Sequence, residues 1–290
     1  MRNEDEMYDL ILKIAKADER IRAVYMNGSR VNPHVKKDIF QDYDIVFVVN
    51  ETQSFLQDKS WISLFGEIAI VQEPDSKDFG WGSEHDCARS YGWLMLFKDG
   101  NRIDLHIVVK DAALEDYDSD TLTLKLLDKD DFLPELPPAN DRTHWIKAPE
   151  QQTYLGCCNE FWWCLNNVAK GIARNQMPYA MRMYIEIVHT ELDKMIEWYI
   201  AMNHDFTIST GMWGKYFREY LPSEFYDMYL KTYSDCDSNN LWNAIFTACE
   251  LFRILAVQVS EQFGYTYNIK DEENMIAYLK AVKANALCAQ

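Results

Sequence analysis

The hydrophobic pattern of the chain changes near residue 150, and this change limits the architecture to two parts. Before that point, helical patterns alternate with short runs typical of strands; after it, almost every pattern is helical. The stretch 134–141 is the predicted linker, because its prolines lack backbone donors and disfavour helix in the residues before them. We therefore predict an α+β fold, with an N-terminal mixed β-sheet domain and flanking helices over residues 1–138. A C-terminal helical bundle over residues 139–290 follows it.

Each part has its own predicted elements. Apolar residues recur at helical spacing over about 4–18, which predicts a helix. Runs rich in β-branched and aromatic residues predict strands at 21–26, 43–49, 67–71, 93–97 and 103–109. The Asp-Gly pair between the last two favours a hairpin turn, and 72–90 is predicted to be a long loop. In the second part, helices are predicted over about 155–172, 181–195, 222–232, 239–262 and 272–285.

Charge and composition exclude several classes of protein. The formal net charge is −17 with a pI near 4.7, so the surface repels phosphate backbones and lacks the basic footprint of a nucleic-acid binder. Such a surface attracts a polycationic small molecule, although many cytosolic proteins are acidic for solubility alone. No segment approaches the roughly 20 apolar residues of a membrane helix, and the acidic start is unlike a signal peptide. Seven cysteines without a C-x-x-C pair predict reduced thiols in a cytoplasmic protein, with no disulfide framework and no zinc site.

Three short pieces of the N-terminal part carry the chemistry. Asp42 and Asp44 are two residues apart at the mouth of a strand, so both carboxylates point to the same face. Two like charges held together need a cation, and Mg²⁺ prefers such oxygen ligands. Asp104 lies within a later strand between apolar residues and would complete the acidic cluster. Gly28 and Ser29 directly follow a strand, where the glycine lets the backbone approach a phosphate closely.

Each piece has a plainer explanation when it is taken alone. A Gly-Ser pair after a strand is usually a turn, and Asp-x-Asp at a strand start is more often a solvated edge or a cap. Asp104 alone could be a buried acid paired with Arg102 or a lysine. Arg30, next to the Gly-Ser pair, could add positive charge at a phosphate. The order, spacing and strand context of the three pieces together favour a nucleotide-binding site.

The same pieces, in this order, resemble the polymerase-β-like nucleotidyltransferase superfamily. Its pattern is Gly-Ser, a short gap, Asp-x-Asp and then a third carboxylate on a later strand. Within that superfamily, nearly the whole chain resembles the aminoglycoside 6-adenylyltransferase family, also called streptomycin adenylyltransferases. The supporting stretches are residues 20–30, 41–46, 157–163 and 168–171.

The resemblance implies transfer of AMP from ATP to a hydroxyl of streptomycin, with Mg²⁺ as cofactor and release of pyrophosphate. The first domain would then have the nucleotidyltransferase fold, and the activity would confer antibiotic resistance. In relatives with this layout, the first two carboxylates bind Mg²⁺ and the third helps to activate the acceptor hydroxyl. Asp42 and Asp44 are therefore the expected metal ligands. Asp104 is expected to complete a second metal site or to act as general base, and the sequence does not separate these roles.

The helical part offers two further candidate sites. Lys170 and Arg174 are one helical turn apart and opposite the apolar stripe, so we expect them to bind the triphosphate. An ordinary solvated helix face is an equally good explanation without the resemblance. Glu186 and Asp193 share a face on the next helix and are expected to bind the guanidinium groups of streptomycin. The expected partners are ATP and a cationic aminoglycoside, and the chain is expected to be a monomer or a small homo-oligomer.

Other functions use the same residues. The three carboxylates would equally serve attachment of AMP to a protein or to another small molecule. Extension of RNA ends is disfavoured, because the chain lacks the basic patches that hold RNA. A non-catalytic nucleotide-binding module is a further alternative, and the presence of all three carboxylates argues against it.

Overall fold

The computed structural model describes residues 1–77 and 85–288. The chain divides into two compact units, Met1–Thr143 and His144–Gln290. The first unit is built on a six-stranded sheet with helices, and the described part of the second consists of helices and connecting turns. The predicted α+β fold class is confirmed. Residues 78–84, in the middle of the predicted loop 72–90, lie outside the described residues.

The N-terminal unit contains every strand that the sequence predicted, and one more. The strands are β1 (Ile21–Asn27), β2 (Tyr43–Val49), β3 (Ile68–Gln72), β4 (Ser90–Phe97), β5 (Arg102–Val109) and β6 (Thr123–Asp128). The helices are α1 (Glu4–Ala17), α2 (Gln53–Gln57), α3 (Pro74–Lys77) and α4 (Lys110–Asp116). The sequence did not predict β6 or α4. The short α3 lies inside the segment that was predicted to be loop.

The sheet has the strand order β3-β4-β5-β2-β1-β6. β2 and β5 are parallel, and the other neighbouring strands in the sheet are antiparallel. The predicted hairpin joins β4 to β5, and Gly100 adopts the positive φ of 87° that its turn requires. Since β1 is antiparallel to β2, the end of β1 meets the starts of β2 and β5 at one edge of the sheet. The edge thus receives residues from three chain segments that are distant in sequence.

The two faces of the sheet differ in how they are covered. One face packs against α1 and the 3₁₀ segment Lys59–Phe65 in a core that includes Met7, Ile11 and Phe65, with odd-numbered β5 residues such as Leu105. The other face packs against α4 in a smaller core that includes Val46, Val48 and Tyr117. Alternation along a strand therefore places Asp44 and Asp104 on this second face, at the edge beyond the small core.

The C-terminal unit is a helical bundle with one large core. Its helices are α5 (Gln151–Ala173), α6 (Met177–Met183), α7 (His189–Met202), α8 (Phe217–Tyr220), α9 (Ser223–Leu230), α10 (Ser238–Phe263) and α11 (Ile269–Cys288). A π-helical turn, Tyr184–Val188, joins α6 to α7. Among the described residues, α10 alone has the length and hydropathy of a membrane-crossing helix. In its most apolar stretch of 18 residues, 56% is buried inside the protein. The same helix supplies a large share of the core of this unit, including Phe252, which stacks on Phe161 of α5.

Candidate active site

The Gly28-Ser29 turn follows β1 directly, as the sequence predicted. Gly28 has φ 80° and ψ −159°, a conformation that is essentially restricted to glycine. A Cβ atom built on Gly28 would lie 2.1 Å from Oδ2 of Asp44. The absence of a side chain therefore lets the Asp44 carboxylate pack directly against the backbone of the turn, and Ser29 begins a short 3₁₀ turn beyond it.

The parallel pair of strands brings the second and third acids together. Asp44 of β2 and Asp104 of β5 are register partners, so they lie side by side on the same face of the sheet. On the other side of Asp44, its partner in β1 is Asn27. Both carboxylates are half-buried, and because Gly28 has no side chain the Asp44 carboxylate lies directly against the turn. The strand register therefore brings Asp44 and Asp104 together at one edge of the sheet, as expected.

Arg102, which the sequence suggested only as an alternative partner of Asp104, links the first and third acids. Its Nε and Nη2 donate to the two carboxylate oxygens of Asp104, each at 2.7 Å. Its Nη1 lies 3.4 Å from Oδ2 of Asp42. The hydrogen bonds to Asp104 and the charges of Asp42 and Asp44 raise the pKa of Arg102 above its ordinary value. The spacing Arg102-x-Asp104 on one strand was the sequence signal, because residues i and i+2 share a face.

Arg30 is buried and is held by the backbone just before β2. Its guanidinium donates to the carbonyl oxygens of Gln41 and Asp42 and stacks 3.8 Å from the ring centre of Tyr43. Nη1 also lies 3.8 Å from a carboxylate oxygen of Glu4. These contacts show that Arg30 fixes the segment that carries Asp42. A contact between Arg30 and a phosphate remains a prediction.

The donor chemistry of the three acids fits a hard divalent cation. Carboxylate oxygens are the ligands that Mg²⁺ prefers, and a site that holds a guanidinium between Asp42 and Asp104 already accommodates positive charge. In the described residues, however, no group of three His, Cys, Asp or Glu side chains is gathered closely enough to hold a metal ion. The structure thus brings the predicted ligands to one edge of the sheet without arranging them as a closed coordination shell.

His106 lies two residues beyond Asp104 on the same face of β5. It is half-buried against Gly92 of β4, and a Cβ atom on that glycine would lie 2.8 Å from its ring. Burial lowers the pKa of His106, while the charges of Asp75 and Asp104 act in the opposite direction. The ring of His106 thus packs on a glycine of the neighbouring strand, and its absence from the catalytic residues remains a prediction.

In the helical unit, Lys170 lines a cavity between α5 and α11. The cavity has a volume of about 580 Å³, and α5 contributes Trp163, which is 65% exposed, together with Asn166 and Lys170. The Lys170 ammonium donates to Oδ1 of Asn166 at 2.6 Å. Arg174 is the exposed residue that caps the end of α5. The structure therefore places Lys170 at a cavity of ligand size, and Arg174 one turn further along.

Glu186 and Asp193 have different partners in the structure. Glu186 is exposed on the π-helical turn and accepts a hydrogen bond from Arg182 at 2.8 Å. Asp193 is half-buried, accepts a hydrogen bond from the hydroxyl of Tyr229 at 2.9 Å and lies 3.4 Å from Nδ1 of His189. Each carboxylate therefore has its own partners in the structure, and joint binding of an acceptor by the two remains a prediction.

Comparison with known proteins supplies the family. The model of the family described as streptomycin adenylyltransferase matches residues 1–282. The aminoglycoside 6-adenylyltransferase of Bacillus subtilis (strain 168) is 37% identical over 275 residues, which cover 94% of this chain and 95% of that protein. The corresponding protein of Campylobacter jejuni is 35% identical over 273 residues, covering 94% and 93%.

Among solved structures, the chain is similar to the crystal structure of an aminoglycoside 6-adenyltransferase from Bacillus subtilis. The sequence identity is 32%, the aligned region covers 98% of this chain and 99% of that one, and the TM-score is 0.48. The family match spans both compact units of the chain. The chain therefore belongs to the streptomycin adenylyltransferase family of nucleotidyltransferase enzymes, as its resemblance indicated.

Proposed function

We propose that the protein transfers AMP from ATP to a hydroxyl of streptomycin, releases pyrophosphate and so confers resistance to the drug. The observation that carries this proposal is the meeting of Gly28, Asp42, Asp44 and Asp104 at one edge of the sheet. Membership of the streptomycin adenylyltransferase family and the aminoglycoside relatives support the choice of nucleotide and acceptor. The net charge of −17 favours a cationic acceptor over a nucleic acid.

Mg²⁺ is the proposed cofactor, and Asp42, Asp44 and Asp104 would hold it. When bound, the ion supplies positive charge that neutralises the triphosphate and the departing pyrophosphate. The Gly28-Ser29 turn would carry the phosphates, since a backbone without a side chain permits close approach and the serine hydroxyl donates a hydrogen bond. Asp104 would either complete the metal ligands or accept the proton of the acceptor hydroxyl.

Changing each acid to asparagine tests these roles. Asp42→Asn, Asp44→Asn and Asp104→Asn should each lower kcat by about two orders of magnitude or more, because a preorganised charge at the reacting phosphate is lost. Asp130→Asn is the matched control, since Asp130 is also held by an arginine, Arg22, at the opposite end of β1. Circular dichroism should show an intact fold in all four variants. Near-wild-type turnover in one of the three site variants would remove that residue from the mechanism.

Lys170 is proposed to contact the triphosphate. Its exposed ammonium at a cavity rimmed by the indole of Trp163 supports a ligand that combines negative charge with a flat ring. Lys170→Ala should weaken ATP binding about tenfold with streptomycin affinity kept, as expected for one charged hydrogen bond. Lys231→Ala is the control, because Lys231 is also an exposed lysine at a helix end. Equal ATP affinity in the two variants would discard the assignment, and Arg174→Ala extends the same test to its neighbour.

Glu186 and Asp193 are the proposed contacts for the guanidinium groups of streptomycin. Asp193 is the better prepared of the two, because Tyr229 already fixes its carboxylate in place. Asp193→Asn and Glu186→Gln should raise the KM for streptomycin while leaving the KM for ATP unchanged. If neither substitution affects the streptomycin KM, the acceptor is bound by other residues.

The decisive experiment compares acceptors directly. Purified protein with labelled ATP should label streptomycin, but not kanamycin, spectinomycin, a protein mixture or RNA, and chelation of divalent ions should abolish the label. Expression in a susceptible bacterium should raise the inhibitory concentration of streptomycin alone among these drugs. Labelling of protein in place of streptomycin would support the alternative of protein adenylylation. Cytoplasmic location, no contact with membranes or nucleic acid, and a monomeric or small oligomeric state remain part of the same prediction.

A further inference from the structure

Arg102 lies in the centre of the acidic edge, although no catalytic role was predicted for it. Its guanidinium holds both oxygens of Asp104 and reaches Asp42, which are two of the three proposed metal ligands. The side chain is 43% exposed, whereas that of Asp104 is 17% exposed. The arginine is therefore more exposed to solvent than the Asp104 carboxylate that it holds, and rotation of its side chain would uncover that carboxylate.

The electrostatics explain why a cation is needed there. Three carboxylates at one edge of a sheet repel each other, and the repulsion is stronger where solvent is partly excluded. A guanidinium contributes one positive charge in a fork that matches a carboxylate. A divalent cation at the same oxygens contributes two charges and prefers the same donor atoms. Both cations compete for the same oxygens, because each needs Asp42 and Asp104.

We propose that Arg102 is a positioning residue that neutralises the acidic edge before nucleotide binds and contacts the triphosphate after a divalent cation displaces it. The inference rests on the proposed nucleotidyl transfer and adds a role for a residue of the same site. Gly28 lies against Asp44, which is the register partner of Asp104, so the turn proposed for the phosphates is adjacent to the acids that Arg102 holds. Planar guanidinium groups bind phosphate as they bind carboxylate, with two parallel hydrogen bonds.

The proposal predicts two effects of opposite sign from one substitution. In Arg102→Ala without nucleotide, Mn²⁺ should bind roughly fivefold or more tightly than in the wild type, because its competitor is gone. With saturating Mg²⁺, a non-hydrolysable ATP analogue should bind roughly fivefold or more weakly, because a phosphate contact is gone. If Arg102 only stabilised the strand, its removal would not tighten metal binding. Arg102→Lys keeps the charge without the fork, so its Mn²⁺ affinity should stay near that of the wild type.

The measurements are electron paramagnetic resonance of free Mn²⁺ and calorimetry of the ATP analogue, neither of which requires an acceptor. Arg22→Ala is the matched control, since Arg22 holds Asp130 through the same pair of guanidinium nitrogens at the far end of β1. Arg102→Gln provides a second variant if Arg102→Ala does not fold. Unchanged or weaker Mn²⁺ binding in both Arg102→Ala and Arg102→Gln would overturn the proposal. Unchanged binding of the ATP analogue in these variants would also overturn it. Absence of AMP transfer by the wild type would refute the proposed function alone, because the Mn²⁺ comparison does not depend on turnover.

Discussion

Replacing Gly28 with alanine perturbs the turn and the neighbouring acid at the same time. The φ of 80° and ψ of −159° at this position cost an alanine about 1–3 kcal/mol. The added Cβ would also lie 2.1 Å from Oδ2 of Asp44, well inside the contact distance of carbon and oxygen. The carboxylate must therefore shift by roughly 1 Å, and given the role proposed for Asp44, a displacement of that size should lower the rate about 100-fold.

Gly264→Ala separates the strain from the displacement. Gly264 also has a positive φ of 68°, at the end of α10, and nothing lies within 4 Å of the Cβ that alanine would add. This variant should lose about 1 kcal/mol of stability, since only the left-handed conformation is penalised. Its kcat/KM should remain at the wild-type value. Both substitutions thus carry a backbone penalty from a positive φ, and only Gly28→Ala also shifts a carboxylate.

The assay combines urea unfolding, followed by tryptophan fluorescence, with steady-state release of pyrophosphate. We expect both variants to unfold at lower urea and only Gly28→Ala to lose kcat/KM, by about two orders of magnitude. The reasoning fails if Gly28→Ala keeps kcat/KM within about threefold of the wild type. It fails equally if Gly264→Ala loses as much activity, because the loss would then follow from stability alone.

Two further predictions concern buried ionisable groups. Burial raises the pKa of Glu197 above its ordinary 4.5, against a hydrogen bond from Thr210, so the ionised carboxylate destabilises the native state once the pH exceeds 4.5. Glu197→Gln should therefore stabilise the protein at pH 7, and the gain should disappear below pH 4.5. Urea unfolding at both pH values checks this, and an equal gain at both would contradict it. Among the described thiols, exposed Cys236 should be alkylated first, whereas burial raises the pKa of Cys164 to about 11 and should keep it unmodified in the native protein. Mass spectrometry of the native protein after brief iodoacetamide treatment checks this order, and early modification of Cys164 would contradict it.

The main elements of the N-terminal unit were predictable because their signals are local. β2 is rich in β-branched and aromatic residues, and the turn at Gly100 follows from a dipeptide that favours positive φ. β6 was missed because its half-exposed sequence is stabilised by pairing with β1, about 100 residues earlier in the chain. Local patterns cannot report a pairing partner at that distance.

The candidate site also combines features that local sequence patterns predict with features that they do not. Asp42 and Asp44 could be placed on one face from their spacing, and a third acid on a later strand could be nominated. The pairing of Arg102 with Asp104 could be suggested from their spacing, but the contacts of Arg30 and Arg102 with Asp42 could not, since they form only after the strands assemble. The π-helical turn at 184–188 was also missed, because a single extra residue in a helical turn leaves little trace in an apolar pattern.

The parallel pairing of β2 with β5 determines which changes in chain length this enzyme can accommodate. The connection from Asn50 to Asn101 contains β3, β4 and the helices beside them. Its length does not affect the pairing of Asp44 with Asp104, which is set by the register of β2 with β5. Segments can therefore be added or removed in that connection while the two acids stay aligned. One residue inserted within β5 before Asp104 would instead turn the carboxylate toward Met7 and Phe65 on the opposite side of the sheet. Length variation between the strands is thus compatible with an unchanged reaction centre, and length variation inside them is not.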